Sequence, residues 1–238
     1  MKGGRLRRFA AGFRYGVPVM LGYAPVAFAF AVAAVGNGLP WPIVVLISLT
    51  NLTSAGQQAG AGLLIAGAPF PELAVTVLII NIRYMLMSLS LSQKMLKIPL
   101  AKRLLLANGV TDEIFFLAMQ KEELSGWFFT GLSFGPYLGW GLGTLAGALA
   151  GTVLPASLSS ALGIALYAMF IAIVVPQARK ERPALWVTLI AVGLSCAFRY
   201  LPLLDRVPSG WALIISAVAA AVAGGLLFPL PEQKEATV

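Results

Sequence analysis

The chain has 238 residues, of which 59% are hydrophobic and only 11% are charged, whereas soluble domains carry about 25% charged residues. This composition excludes a soluble globular domain and predicts an all-α, polytopic membrane helix bundle. The net charge of +8 does not indicate nucleic-acid binding, because the basic residues collect at the ends of apolar segments, where they fix helix orientation. The absence of histidine excludes imidazole metal sites and histidine-dependent triads, and we expect no metal or cofactor.

The first element is a basic segment, residues 1–16, followed by an apolar run over residues 17–35. This run is longer than the apolar core of about 7–15 residues in a signal peptide. We therefore expect an uncleaved first membrane helix whose N-terminus lies in the cytoplasm.

The second apolar segment, residues 43–66, carries a polar cluster at its middle, among several glycines. The cluster consists of Thr50, Asn51, Thr53, Ser54, Gln57 and Gln58. Polar groups at this depth are tolerated where they line a cavity, and glycine permits a helix to unwind there. The alternative is helix packing, in which amides bond across helices and small residues allow close approach. The sequence leaves both interpretations open.

The third segment, residues 71–93, has Asn81 and Arg83 near its midpoint. An arginine at the centre of a membrane helix costs roughly 2.5–3.5 kcal/mol on insertion scales, and it stays charged. We therefore expect Arg83 to face protein or a wet cavity, beside a carboxylate or a substrate anion. The alternative is a fixed ion pair that only joins two helices.

Residues 104–119 form a shorter apolar stretch with Asp112 and Glu113 inside it. Sixteen residues is short for a crossing, so a tilted span, a re-entrant piece and an interfacial helix all fit, and we favour a crossing. Either acid is a candidate counter-charge for Arg83. The alternative is an ordinary helix start, with Thr111 as N-cap and the two carboxylates in the first turn.

The second half contains four apolar segments, over residues 128–153, 158–175, 185–204 and 211–228. Glycine recurs every fourth residue in the first of them. These glycines are Gly139, Gly143, Gly147 and Gly151. A small residue at every fourth position forms one helix face and predicts close packing against another helix.

Short motifs recur in the same order in both halves and end in Arg83–Tyr84 and Arg199–Tyr200, which favours two internal repeats with discontinuous helices. We expect about seven to eight membrane segments. If residues 104–119 cross the membrane the repeats are parallel, and otherwise they are inverted. The predicted division is a basic N-terminal segment, a first repeat containing the Asp–Glu segment, a second repeat and a polar tail. Their ranges are residues 1–16, 17–126, 127–229 and 230–238.

Four motifs occur in an informative order: GYAPVAFAF at residues 22–30, SAGQQ at 54–58, IRY at 82–84 and GVTDEIF at 109–115. Together they resemble the AzlC family of branched-chain amino-acid permeases, the large subunits of bacterial exporters. The resemblance implies efflux of branched-chain or related neutral amino acids across the bacterial inner membrane. It also implies a small, separate AzlD-type membrane subunit as partner, besides the membrane lipids.

A secondary transporter is the leading hypothesis, with Arg83 holding the substrate carboxylate and Asp112 or Glu113 the ammonium. Tyr23, in the first motif, completes a candidate substrate-binding set with the polar cluster and Asn81. Desolvation favours a protonated carboxylate, so proton coupling is a further possibility. The alternatives are an accessory subunit of a membrane complex and, less favoured, a membrane-embedded enzyme, since no lysine lies inside a span to activate a serine.

Overall fold

The computed structural model describes residues 2–95, 98–122, 124–155, 178–202, 204 and 206–229, and isolated positions between 157 and 176. Over these residues the protein is helical and contains no strand, which confirms the predicted all-α class. The helices of these residues are α1 Lys2–Gly36, α2 Trp41–Thr50, α3 Ser54–Ile65, α4 Phe70–Lys94, α5 Leu100–Ala107, α6 Asp112–Met119, α7 Gly126–Gly151, α8 Arg182–Tyr200 and α9 Ser209–Leu227.

Within the described residues, four helices are long and apolar enough to cross a membrane. They are Gly4–Gly36, Phe70–Lys94, Arg182–Tyr200 and Ser209–Leu227. Together with the shorter apolar helices, they confirm the predicted multi-pass membrane protein. The count of seven to eight segments stays a prediction, because most of residues 158–175 lie outside the described residues.

The chain divides into two compact units, residues 1–69 with 73–167 and residues 70–72 with 168–238. In the second unit α8 packs against α9, and Gly224 leaves room for the side chain of Val187. The buried carboxylate of Glu72 accepts a hydrogen bond from the backbone N–H of Gly210 at 2.7 Å. These two units do not correspond to the two predicted repeats, residues 17–126 and 127–229, which stay a prediction.

Helices α1 and α7 form the centre of the first unit, where they pack against each other in parallel along most of their length. A Cβ atom added to Gly139, Gly143 or Gly147 would lie within about 2.5 Å of a backbone carbonyl oxygen of α1. The three oxygens belong to residues four apart, namely Met20, Ala24 and Phe28. Because both helices advance together by four residues, the glycine face is a backbone-to-backbone contact. The predicted packing face is confirmed.

Helices α2 and α3 are two halves of the polar second segment, interrupted at residues 51–53. The Thr53 side chain caps α3 by accepting the N–H of Gly56 at 3.4 Å. Across the interruption, the Gln57 amide donates a hydrogen bond to the Ser48 hydroxyl. Two short side chains nine positions apart meet only if the chain turns back at the break. The discontinuous helix is therefore confirmed, and its halves form a helical hairpin, called hairpin 1 (residues 41–65).

Helices α5 and α6 form a second helical hairpin, called hairpin 2 (residues 100–119). The start of α6 lies beside Tyr23 of α1, whereas Gln120, just after α6, accepts a hydrogen bond from the Tyr15 hydroxyl at 3.0 Å. The ammonium of Lys94, which ends α4, donates to the carbonyl of Met119 at 2.8 Å. Hairpin 2 thus leaves and returns to the same end of α4. Residues 104–119 therefore fold back on themselves and do not form one continuous helix, so the single crossing that we favoured from their apolar character is not what the structure shows.

The bases of the two hairpins lie at opposite ends of the first unit. A connection of four residues, 37–40, joins the end of α1 to hairpin 1, and α3 returns along α4 with Gly60 beside Val77. Hairpin 2 has both of its ends near the last residue of α4, Lys94. Their turns are called tip 1 (residues 51–53) and tip 2 (residues 108–113, which includes the start of α6), and both lie against the middle of α4, near Asn81 and Arg83 respectively.

Candidate substrate site at the two hairpin tips

Tip 1 contacts α4 through Asn81. The Thr53 hydroxyl donates a hydrogen bond to Asn81 Oδ1 at 2.7 Å, and Thr53 is 3% exposed. A Cβ atom on Gly56 would lie 2.7 Å from Asn81 Nδ2, so the close approach of the Asn81 side chain requires glycine at that position. Asn81 is therefore held against the start of α3.

Tip 2 contacts α4 through an ion pair. The guanidinium of Arg83 lies 2.9 Å from the Asp112 carboxylate, and the two side chains are 48% and 40% exposed. The predicted counter-charge is confirmed, and it is Asp112. Thr111 also caps α6, as the alternative predicted, by accepting the N–H of Ile114 at 3.4 Å. The cap fixes where the carboxylate lies, and the carboxylate then meets Arg83.

Glu113 has a different partner from Asp112. The hydroxyl of Tyr23 lies 2.5 Å from the Glu113 carboxylate and 2.7 Å from the Thr111 hydroxyl. A phenol has one proton, so Tyr23 donates to the carboxylate and accepts from the threonine. Tyr23 thereby fastens tip 2 to the middle of α1.

Gln57 belongs to a buried hydrogen-bond network between α2, α3 and α7. Its side chain is 1% exposed, its amide oxygen accepts the indole N–H of Trp140 at 3.1 Å, and its amide nitrogen donates to Ser48. Ser48 in turn accepts from the Thr144 hydroxyl at 2.8 Å. Both ends of the amide are occupied by protein, so for Gln57 the packing interpretation holds.

The other predicted polar residues lie on the same hairpin. Asn51, Ser54 and Gln58 are half-buried at tip 1 and on the first turns of α3. The carbonyl of Asn51 accepts the backbone N–H of Thr53 at 2.9 Å, which closes the turn. The carbonyl of Leu49, at the end of α2, accepts a hydrogen bond from the hydroxyl of Tyr137 at 3.0 Å.

Several residues of this region were missed in the sequence. They are Ser48, Tyr137, Trp140 and Thr144. Thr53 belongs to the predicted polar cluster, but its contact with Asn81 was not predicted. One signal was available, since Leu52–Thr53 and Val110–Thr111 each place a threonine after an aliphatic residue just before a helix start. Nothing in the sequence pairs Tyr137, Trp140 and Thr144 with hairpin 1, because the contacts join positions more than 80 residues apart.

The arrangement joins both tips through two long helices. On α4, Asn81 holds tip 1 and Arg83 holds tip 2. On the other side, Tyr23 holds tip 2 and packs the edge of its ring on Trp140, with the ring centroids 5.4 Å apart. Within this frame the accessible charges include Arg83, Asp112 and Glu113. Arg83 and Asp112 are a cation and an anion at hydrogen-bond distance.

Comparison with known proteins identifies the family of this chain. The family model described as AzlC protein matches residues 18–154, more than half of the chain. The chain belongs to the AzlC family. It is similar to the inner membrane protein YgaZ of Escherichia coli K12, with 30% identity over 195 residues that cover 78% of this chain and 79% of the relative. It is also similar to an uncharacterized membrane protein of Archaeoglobus fulgidus, with 31% identity over 224 residues that cover 92% and 93%.

No solved structure matches the chain. The AzlC match and the membrane-protein relatives make this chain a multi-pass cell-membrane protein with a transport-related role.

Proposed function

We propose that this AzlC-family protein is a secondary transporter that exports branched-chain or related neutral amino acids. The observation that carries the proposal is the accessible ion pair between Arg83 on α4 and Asp112 at tip 2. Charged side chains inside a membrane protein are costly, and they occur where a substrate or an ion passes. The preference for branched side chains rests on the family resemblance alone.

An ion pair of this kind suits a zwitterion. The substrate carboxylate would take the place of Asp112 on the planar, two-pronged guanidinium of Arg83, and its ammonium would bind the released Asp112. Each charge then exchanges one partner for another, and none is left unpaired. A substrate with a single charge would occupy one half of the pair and strand the other, so the pair selects against anions and cations.

Two further parts of the proposal concern coupling and assembly. Asp112 and Glu113 are adjacent carboxylates at tip 2, and one of them can carry a proton in exchange for substrate, so we propose a proton antiport. We also propose a small AzlD-type membrane subunit as partner, on the strength of the resemblance. The chain itself then supplies the ion pair and the tips.

Flux measurements in proteoliposomes test the proposal. The chain is reconstituted with and without an AzlD-type subunit, the vesicles are loaded with labelled leucine, and efflux is followed with and without an imposed pH gradient. We expect saturable efflux in the presence of the partner, competed by isoleucine and valine but not by glutamate or lysine. Absence of flux under both conditions, or equal transport of glutamate, would contradict the proposal.

The competing hypothesis of an accessory subunit is tested in the same vesicles. If the chain only supports a transporting partner, flux with the partner present will survive Arg83→Ala at the original rate. If the chain carries the substrate, that flux will be lost while the amount of reconstituted protein is unchanged.

A further inference from the structure

The two hairpin tips have the same construction. In tip 1 and tip 2 a buried aliphatic residue precedes a threonine that is 3% exposed, Thr53 or Thr111. Each threonine is extended, with φ of −140° and −126°, and each caps the next helix by accepting a backbone N–H at 3.4 Å. The same capped turn therefore stands at the centre of both hairpins.

Each tip is also fastened in the same way, by a polar side chain from the middle of a long helix. Thr53 bonds Asn81 of α4 at 2.7 Å, and Thr111 bonds Tyr23 of α1 at the same distance. Since α1 precedes hairpin 1 and α4 precedes hairpin 2, the threonine of each tip is bonded by the long helix of the other pair. Hairpin 2 is held in addition by Arg83 of its own long helix, through Asp112. Contacts exchanged in this way are expected where two helix-plus-hairpin pairs are related by a two-fold axis.

The two helix-plus-hairpin pairs, α1 with hairpin 1 and α4 with hairpin 2, run in opposite directions. Tyr15 of α1 and Lys94 of α4 both lie at the base of hairpin 2. Along α1 the chain runs from Tyr15 to Tyr23, away from this base, whereas along α4 it runs from Arg83 to Lys94, toward it. The bases of the two hairpins consequently face opposite sides. A two-fold axis that inverts the direction of a helix-plus-hairpin unit lies in the membrane plane, as it does in many secondary transporters.

The distribution of lysine and arginine indicates which end of the first unit faces the cytoplasm. The end of the first unit with the base of hairpin 2 carries Arg5, Arg7, Arg8, Lys94, Lys102, Arg103 and Lys121. The opposite end consists of the connections at residues 37–40, 66–69 and 152–155, which contain no lysine or arginine. Because basic connections stay in the cytoplasm, hairpin 2 has a cytoplasmic base and hairpin 1 an external one. If both apolar segments, residues 43–66 and 104–119, crossed the membrane, Lys94 to Arg103 would lie outside, against this rule.

We propose that hairpins 1 and 2 are re-entrant from opposite faces of the membrane and form the outer and inner walls of one substrate path. This inference rests on the proposed function for its substrate. Asn81 and Tyr23 are positioning residues in it: Asn81 fastens tip 1 and closes the outer side, and Tyr23 fastens tip 2 and closes the inner side. A substrate between the tips reaches Arg83 and Asp112 from whichever side has released its tip.

The re-entrant arrangement is tested by labelling single cysteines from each side of the membrane. Cys196 is the one cysteine of the chain, so Cys196→Ala gives a cysteine-free background. Cysteines then replace Gly38, Ala68, Lys102 and Glu122 in turn, and an impermeant maleimide is added to intact cells or to inside-out vesicles. We expect labelling at 38 and 68 only from outside, and at 102 and 122 only from inside.

Positions 68 and 102 decide the outcome, and positions 38 and 122 are the matched controls. If both hairpins crossed the membrane, positions 38 and 122 would be labelled as before, but 68 would face the cytoplasm and 102 the outside. Either of those two results overturns the proposal. The assay uses no substrate, so its failure is distinguishable from a failure of the proposed transport function.

The positioning roles are tested at the tips themselves. Asn108→Cys reports the access to tip 2 from the cytoplasm, and Asn51→Cys reports the access to tip 1 from outside. Tyr23→Phe should raise the labelling rate of Asn108→Cys severalfold without changing that of Asn51→Cys. Asn81→Ala should raise the labelling rate of Asn51→Cys without changing that of Asn108→Cys.

Tyr15→Phe is the matched control, because Tyr15 lies on the same helix but bonds Gln120 at the base of hairpin 2. It should leave both labelling rates unchanged. An unchanged rate at Asn108→Cys in the Tyr23→Phe variant, or an equal rise in the Tyr15→Phe variant, would overturn the role of Tyr23. Equal rises at both tips on Asn81→Ala would overturn the separation of the two walls.

Discussion

The interface between α1 and α7 and the contacts at the hairpin tips differ in what holds them together. Along α1 and α7, glycines bring one backbone directly onto the carbonyl oxygens of the other. At the tips, single side chains such as Tyr23 and Asn81 make hydrogen bonds that water or a substrate is able to replace. Packing of this kind is not continuously deformable, whereas such bonds open one at a time. The protein thus combines a pair of helices in direct backbone contact with two tips that are held by a few side-chain hydrogen bonds.

The largest effect is expected from filling the rigid interface. Gly143→Leu or Gly147→Leu would drive a side chain into the backbone of α1, where a Cβ alone already lies 2.3 Å from a carbonyl oxygen. Overpacking a core costs about 1–3 kcal/mol or more, and here a backbone must move. We expect little folded protein in the membrane, measured by immunoblot and by fluorescence-detected size exclusion.

Gly22→Leu is the control for this prediction. Gly22 lies on α1 itself, yet a Cβ atom there would have no neighbour within 4 Å. Normal abundance of the Gly22 variant together with loss of the other two assigns the effect to the interface. Normal abundance of all three would remove the distinction between a rigid interface and movable tips.

The next largest effect is expected at the ion pair, and it separates a site from a fixed contact. If Arg83 holds a carboxylate by two parallel hydrogen bonds, Arg83→Lys should fail in leucine export almost as badly as Arg83→Ala. Membrane abundance should stay normal in both, because both side chains of the pair are partly exposed. Export by Arg83→Lys at the original rate would show that a point charge suffices, as in a purely structural pair.

An intermediate effect on stability, without an effect on transport, is expected at Gln57. Gln57→Leu removes both bonds of a buried amide and leaves the indole of Trp140 and the hydroxyl of Ser48 with one partner fewer. An unsatisfied buried polar group costs about 1–3 kcal/mol, so the melting temperature should fall. Export per folded molecule should be unchanged. Gln58→Leu, at the half-buried neighbouring position, is the matched variant and should melt normally; a loss of export confined to Gln57→Leu would return this residue to the substrate site.

Helix periodicity and the free-energy cost of a charge in the membrane were enough to predict two features of this structure. The four-residue spacing of Gly139 to Gly151 was enough to predict a packing face, because it depends only on helix periodicity. The cost of an arginine in a membrane was enough to predict an acidic partner for Arg83. Both predictions concern properties of one helix, and the structure confirms them.

The predictions that failed or stayed open depend on where helices lie relative to one another. Asp112 and Glu113 are neighbours in sequence but point about 100° apart on α6, so the choice of partner for Arg83 depends on how α6 is placed. The same rotation separates Gln57, which is buried, from Gln58. The fold-back of α5 and α6 was one of the alternatives but not the favoured one, because apolar half-helices that cross and those that return have the same composition.

The smallest effect is expected from the threonines of the tips, and it tests whether the tips are equivalent. Thr53→Val and Thr111→Val keep the side-chain shape but remove the cap and the bond to Asn81 or Tyr23. Loss of an N-cap costs about 0.5–2 kcal/mol, so we expect a modest fall in melting temperature, similar for both variants. Serine keeps the hydroxyl, and Thr53→Ser and Thr111→Ser should therefore melt near the original temperature. Export should fall in both valine variants and be largely restored in both serine variants. A large loss at one tip and none at the other would show that the matching geometry of Thr53 and Thr111 has no functional counterpart.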